Sequence, residues 1–152
     1  VTAILSGEFT EGQIGGFLAA LAAKGETVDE IAAGARAMRA AATRIQSLAN
    51  DTLDTVGTGG DGGMTFNIST TVAFVAAGAG AVVAKHGNRA SSGKSGSADC
   101  LECLGFNLAA APEVMEQALN EIGIAFMFAP AFHKAMRFAG PVRKQLGVRT
   151  PS

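Results

Sequence analysis

Asn67-Ile-Ser-Thr-Thr-Val-Ala-Phe-Val-Ala-Ala-Gly-Ala-Gly-Ala-Val-Val-Ala84 is the stretch on which the fold turns. It sits in a run, Gly62 to Ala84, with no charged side chain, long enough in residues to cross a bilayer. Thr65, Asn67, Ser69, Thr70 and Thr71 interrupt that run and leave only Val72 to Ala84 apolar. That remainder is too short for a spanning helix. It predicts a buried helix, capped by Ser69 or Thr70 and ending near Gly78, that runs into a buried strand at Ala81 to Ala84. No membrane partner is expected.

The flanking sequence extends this alternation. Thr52 to Val56 has the texture of a strand and ends in Gly57-Thr-Gly-Gly-Asp-Gly-Gly63. Lys85 to Ser97 reads as a polar loop, Ala98 to Leu104 as a short helix closed by Gly105, and Pro112 to Gly123 as a further helix. Ile124 to Phe128 is an apolar strand candidate. Strand, helix, strand, helix, strand is the order of a parallel α/β sheet. Upstream, Thr10 can cap a helix with Ile14, Phe17, Leu18 and Leu21 on one face and Gly25 as its stop. Thr27 and Glu30 form a capping box for a second helix, predicted to run to about Leu48 with Ile31, Ala35, Met38, Ala42 and Ile45 on one face. His133 to Val148 returns to helical texture, broken by Gly140-Pro141. The expected organisation is therefore α/β: a small helical domain over 1–50, an α/β domain over 51–132 and a helical return over 133–152.

Composition narrows the function classes. The 152 residues are 48% apolar and 16% charged, which opposes disorder. A net charge of −1 lacks the basic footprint of a general nucleic-acid binder, so no nucleic acid is expected. Two Cys do not make a secreted disulfide scaffold, and a reducing cytoplasm is the expectation. Val1 to Gly7 has neither the basic region nor the apolar run of a signal peptide. Cys100 and Cys103 form a lone C-x-x-C inside a helix, with no second pair, and read as core thiols.

The two glycine-rich loops fit neither well-known phosphate motif. Gly57, Gly59 and Gly62 satisfy G-x-G-x-x-G, but no helix opens on the third Gly and no carboxylate follows between Ala76 and Ala84. Gly93-Lys-Ser95 ends like a P-loop, yet the required upstream Gly would fall on Asn88. What survives is the physics common to both motifs. Residues without side chains let backbone amides approach an anion, and a helix N-terminus adds its partial positive charge. With Lys85, Arg89 and Lys94 nearby, the loops describe a crevice at strand C-termini for a ligand with more than one phosphate. The plainer alternative is two turns with solvated lysines.

Four segments resemble one family in order. Asp54-Thr-Val-Gly-Thr-Gly-Gly-Asp61, Asn67-Ile-Ser-Thr70, Lys85-His-Gly-Asn-Arg-Ala-Ser-Ser-Gly-Lys-Ser-Gly-Ser-Ala-Asp99 and Val142-Arg-Lys-Gln-Leu-Gly-Val-Arg-Thr150 look like anthranilate phosphoribosyltransferase. The resemblance implies a fold of the nucleoside phosphorylase and phosphoribosyltransferase type, with a small helical domain and part of a larger α/β domain with a mainly parallel sheet. It implies transfer of the phosphoribosyl group of phosphoribosyl diphosphate (PRPP) to the amine of anthranilate, in tryptophan biosynthesis, by a homodimer joined through its helical part. By motif, PRPP would meet Gly57, Gly60, Asp61, Thr65, Asn67, Ile68, Ser69, Thr70, Lys85, His86, Gly87, Asn88, Arg89, Ala90, Ser91, Ser92, Gly93 and Ser97. Ser69 would ligate Mg²⁺. Gly57, Asn88 and Arg143 would hold anthranilate, with Arg143 on its carboxylate. More loosely, His86 and the stretch from Pro130 to His133 would line the aromatic's approach. No residue is implied as a general base.

The chain also departs from that family. Its members are about twice as long and carry a downstream Asp-Glu pair for two Mg²⁺ ions, whereas Asp29-Glu30, on the second predicted helix, is the only adjacent acidic pair here. An incomplete chain with at most weak activity is the expectation. Two rival readings are a pyrimidine nucleoside phosphorylase, which shares the fold and a related Lys-His loop, and a nucleic-acid-binding member of the fold. The Asn88 to Ser92 loop and Arg143 favour anthranilate over the first, and the net charge opposes the second.

Overall fold

A computed structural model describes residues 1–57, 66–90 and 95–147. The helices are α1 (Thr2–Leu5), α2 (Glu11–Lys24), α3 (Val28–Ala41), α4 (Ile68–Gly78), α5 (Ser97–Cys103), α6 (Pro112–Ile122), α7 (Ala129–Phe132) and α8 (Gly140–Leu146). The strands are β1 (Val83–Gly87) and β2 (Ile124–Phe128), and a 3-10 turn covers Lys134–Arg137. Two compact units divide the chain: residues 1–43 with the segment from His133, and residues 44–132.

The helical unit starts from local chemistry. Thr10 and Gln13 close a capping box on α2, the Thr10 hydroxyl accepting from Gln13 N–H while the Gln13 side chain accepts from Thr10 N–H. Thr27 and Glu30 repeat it on α3. Each box satisfies two amides that a helix start leaves without partners. Lys24, on the last turn of α2, reaches Glu30 at 2.8 Å. That ammonium, then the Thr27 amide, holds the Glu30 carboxyl at about 2, below its usual 4.5. The core of this unit is Ile4, Ile14, Ala139 and Val142, with Leu18, Met136, Phe138 and Leu146 packed against it. Of the apolar face expected on α2, Ile14 is buried and Leu18 packs against the core while Phe17 is 39% exposed, and α3 buries no residue at all.

In the other unit, β1 and β2 are parallel, Val83 facing Ile124 and Gly87 facing Phe128. Successive amides of β1 point to opposite edges. Val83 N–H bonds Gly123 O, and Ala84 N–H bonds Leu53 O. Thus β1 is flanked on both sides, with Leu53 making a single parallel bridge to Val83. The chain between the strands, α5 and α6, is the crossover that parallel pairing requires. Ala98, Leu101, Leu108 and Phe126 form one core cluster, and Met115, Leu119, Ala125 and Phe132 another. Phe106 joins both and meets Phe126 edge to face at 5.7 Å.

Five expectations are corrected. The second helix ends at Ala41, with Ala42 already extended. Glu116 and Asn120 of α6 take the amides of Gln46 and Leu48, holding this segment as extended chain instead of helix. Thr52 to Val56 contributes one bridge, not a strand. The predicted Ala81–Ala84 strand begins at Val83 and runs on through Lys85 and His86 to Gly87. Ser69 and Thr70 lie inside the first turn of α4, whose N-cap is Asn67 without a side-chain cap bond. Finally, α4 buries only Thr70 and Ala73, while Phe74 is 52% and Val75 66% exposed. The expectation of burial held for the strand, where Val83 is 0% exposed, but not for the helix.

The thiols differ as well: Cys100 is half-buried and Cys103 exposed, so neither is a core group. Among the described residues no helix is long and apolar enough to cross a membrane.

Candidate functional site

The site grows from the C-terminal ends of the parallel strands, where an open α/β sheet leaves a crevice. β1 carries Lys85 there, almost wholly buried at 3% exposure. A buried ammonium needs its hydrogens taken up. Lys85 Nζ donates to Thr55 O and, at 3.2 Å, to Ser69 Oγ. Thr55 Oγ1 in turn donates to Ser69 O at 2.8 Å. One side chain therefore ties the end of β1, the segment leading to Gly57 and the N-terminal turn of α4. Burial pushes the Lys85 ammonium below its usual pKa, against the opposing pull of Asp54. Asp54 itself accepts from His86 N–H at 3.1 Å.

Beyond Gly87 the chain turns through Asn88, Arg89 and Ala90 and comes back at Ser95 to enter α5. A Cβ on Gly87 would lie 2.3 Å from Ser97 Oγ and 2.8 Å from the Phe126 ring, so only glycine fits without displacement. Asn88 O accepts from Ala98 N–H and from Ser97 Oγ. Asn67 Nδ2 donates to Ser95 Oγ at 3.1 Å, joining the start of α4 to the returning stem. Arg89 is paired with Asp99 at 3.0 Å and with Glu102 at 2.8 Å, and its guanidinium lies 5.9 Å from the Phe128 ring centre. Glu102, then Asp99, raises the Arg89 pKa further. Of the cations the sequence placed at the crevice, Lys85 is buried and so is not the solvated lysine of the plainer alternative, and Arg89 is ion-paired.

Of the residues expected at PRPP, the structure brings Asn67, Ile68, Ser69, Thr70, Lys85, His86, Gly87, Asn88, Arg89, Ala90 and Ser97 to this end of the sheet. Gly57 ends the described segment that leads there. Gly60, Asp61, Thr65, Ser91, Ser92 and Gly93 lie outside the described residues, as do Lys94 and Val148 to Thr150. Arg143 is on α8, in the helical unit, where its Nε is buried with no hydrogen-bond partner among the described residues. Thr70 Oγ1 is likewise buried without one. Thr70 is among the residues that line a cavity of roughly 210 Å³ walled mainly by apolar groups such as Ala73, Phe74, Met115 and Phe126.

The Mg²⁺ expectation can be tested on Ser69. Its hydroxyl is one hard oxygen, but the Lys85 ammonium sits 3.2 Å away. No group of three His, Cys, Asp or Glu side chains is gathered among the described residues. Ser69 can supply one ligand. The remaining oxygens, and the negative charge, would come with a diphosphate.

Sequence reasoning quoted Asp54, Thr55 and Asp99 within the motifs but gave them no role, and they make the polar framework behind the site. Asp99 stands at the third position of α5 behind Gly96, a capping pattern without the usual hydroxyl residue and therefore hard to see.

Comparison with known proteins extends these findings. The helical bundle domain model of a glycosyl transferase family matches residues 1–42, and the a/b domain model of that family matches residues 49–151. The anthranilate phosphoribosyltransferase of Desulfosudis oleivorans is 63% identical over 97% of this chain and 43% of its own length. The crystal structure of the Thermus thermophilus anthranilate phosphoribosyltransferase superposes with a TM-score of 0.91 at 51% identity, covering 99% of this chain and 46% of that one. The Saccharomyces cerevisiae enzyme in complex with PRPP and Mg gives 0.82 at 33% identity, over 93% and 40%. The chain thus spans less than half the length of the relatives it matches. With the two domain models together accounting for nearly every residue, the chain belongs to this glycosyl transferase family of helical bundle and a/b domains.

Proposed function

We propose that these residues belong to an anthranilate phosphoribosyltransferase and form its PRPP-binding crevice. The supporting observation is the buried Lys85, which joins the Gly57 segment, the first turn of α4 and the end of β1. Breaking the bond from ribose C1 to the diphosphate oxygen sends the electron pair to the leaving group and leaves positive charge on the sugar. Backbone amides at the start of α4 and the Lys85 ammonium are suited to the growing negative charge, and they need no reorganisation at that moment. The anthranilate amine lone pair forms the new bond to C1, and the nitrogen then loses a proton, so no strong base is required. Holding the two reactants together supplies the rest.

In this reading PRPP meets Gly57, Gly60, Asp61, Thr65, Asn67, Ile68, Ser69, Thr70, the residues from Lys85 to Gly93 and Ser97. Ser69 offers a hydroxyl to Mg²⁺, which would offset diphosphate charge. By motif, Gly57, Asn88 and Arg143 serve anthranilate, with Arg143 on its carboxylate. The setting is a cytoplasmic homodimer joined through the helical part. The unburied α3, with Val28 82% and Ile31 44% exposed, supports that contact.

Titration calorimetry with PRPP and Mg²⁺ tests the reading. PRPP is expected to bind, and thymidine with phosphate is not. Thymidine binding without PRPP binding would replace the proposal with a phosphorylase. Turnover of anthranilate by the 152 residues alone is expected to be far below that of a full-length relative.

A further inference from the structure

Asp99 is not among the residues assigned to substrate above, yet two separate stretches of the site converge on it. Its Oδ2 accepts from Ala90 N–H at 2.9 Å and from Gly96 N–H at 2.8 Å. Its Oδ1 accepts from Arg89 at 3.0 Å. A helix cap alone would need only the Gly96 bond. The other two reach nine and ten residues back, to the stem that leaves β1. The stems also touch directly: a Cβ on Gly96 would lie 2.4 Å from Ala90 N and 2.6 Å from Arg89 C. Glu102 takes both terminal nitrogens of Arg89 at 2.8 and 2.9 Å, and Phe128, at the end of β2, lies beneath the same guanidinium.

We propose that Asp99 is a positioning residue for the transferase site. Its carboxylate clamps the Arg89–Ala90 stem to Gly96, and so sets the backbone of Asn88 to Ala90 at a fixed distance from Ser97, both of which are assigned to substrate above. The inference rests on the PRPP-binding reading. Arg89 in this arrangement is a brace for the clamp, and its contribution to an anion comes through its backbone. The bond geometry explains why an acid is needed. One carboxylate can accept three bonds at once, whereas an amide has one acceptor oxygen and would turn an NH₂ group toward a donor.

The test compares PRPP affinity, with Mg²⁺ present, in the wild-type chain, Asp99→Asn and Glu102→Gln, alongside thermal unfolding. Asp99→Asn is expected to weaken PRPP about tenfold or more, because its single acceptor oxygen keeps the two stem amides only by turning its NH₂ against the Arg89 guanidinium, and flipped the other way it leaves both stem amides facing a donor. Glu102→Gln leaves both stem amides bonded and is expected to change affinity less than about threefold. A merely structural Asp99 would lower the melting temperature and leave the affinity of the folded fraction unchanged, which would overturn the proposal. So would equal losses in both variants, since the Arg89 charge would then carry the effect. If the wild-type chain itself fails to bind PRPP, the transferase reading falls and this inference with it. Should Asp99→Asn not fold, hydrogen exchange on the wild type decides. Ala90 and Gly96 amides are expected to be protected and further slowed by PRPP, and exchange at unstructured rates in the bound protein would refute the clamp.

Discussion

Three helices of this chain start with the same device, and two of them use it differently from the third. In α2 and α3 the side chain at the third helical position, Gln13 or Glu30, accepts the amide of the N-cap Thr, and the Thr hydroxyl accepts in return. Everything involved lies within four residues of sequence. In α5, Asp99 takes the N-cap amide of Gly96, but there is no hydroxyl to reciprocate, and the spare acceptor capacity goes to Ala90 and Arg89. The local boxes start helices. The third fastens a distant stretch of chain that the crevice depends on. Identical chemistry thus serves secondary structure in one unit and tertiary structure in the other, and substitution can separate the two.

The largest effect is expected at Gly96. Gly96→Ala places a methyl 2.4 Å from Ala90 N, where backbone has to move, and should cost about 2–4 kcal/mol in denaturant unfolding and weaken PRPP binding. A cost below about 0.5 kcal/mol would mean that the stems are not clamped.

Next comes Lys85→Met. Thr55 O and Ser69 Oγ would lose their donor, with an expected loss of about 1–3 kcal/mol and weaker PRPP binding. The same variant carries a pH signature. The folded-state pKa of Lys85 lies below its ordinary 10.5, so between those values the unfolded chain holds more protons and stability rises with pH. Stability measured across that window should climb in the wild type relative to Lys85→Met, and parallel curves would remove the burial argument.

Thr27→Ala and Thr10→Ala should each cost about 1 kcal/mol and leave PRPP affinity unchanged, as local caps do. A loss of affinity in either would erase the distinction between local and distant caps. The smallest effect belongs to Glu30→Gln. The folded carboxyl titrates at about 2 instead of 4.5, so its contribution is present above pH 4.5 and fades as pH falls through 2. Both partners are exposed, so at neutral pH the melting shift should be a degree or so at most and vanish in high salt.

The local caps were legible in advance because a Thr-x-x-Gln or Thr-x-x-Glu pattern contains all of its partners. The strand Ile124–Phe128 was legible too, since a short apolar run between a glycine stop and a proline has few other fates. The end of α3 was not. Its helical pattern continues past Ala42, and the choice of extended chain was made by Glu116 and Asn120 some seventy residues away. Lys85 and His86 looked like loop because they are polar. They became strand because the partners that satisfy them, Thr55 O, Ser69 and Asp54, arrive from other segments.

By itself, the sequence determined the helices α2, α4, α5 and α6, the strand β2, the two local caps, the parallel α/β order and the motifs that resemble one transferase family. Each of those is encoded in neighbouring residues or in the periodicity of apolar side chains. Tertiary structure alone decided that Lys85 is buried and that Arg89 pairs with Asp99 and Glu102. Those outcomes depend on which groups meet across long stretches of chain. The free energy of a buried charge is set by the partners that reach it, and no local pattern records them.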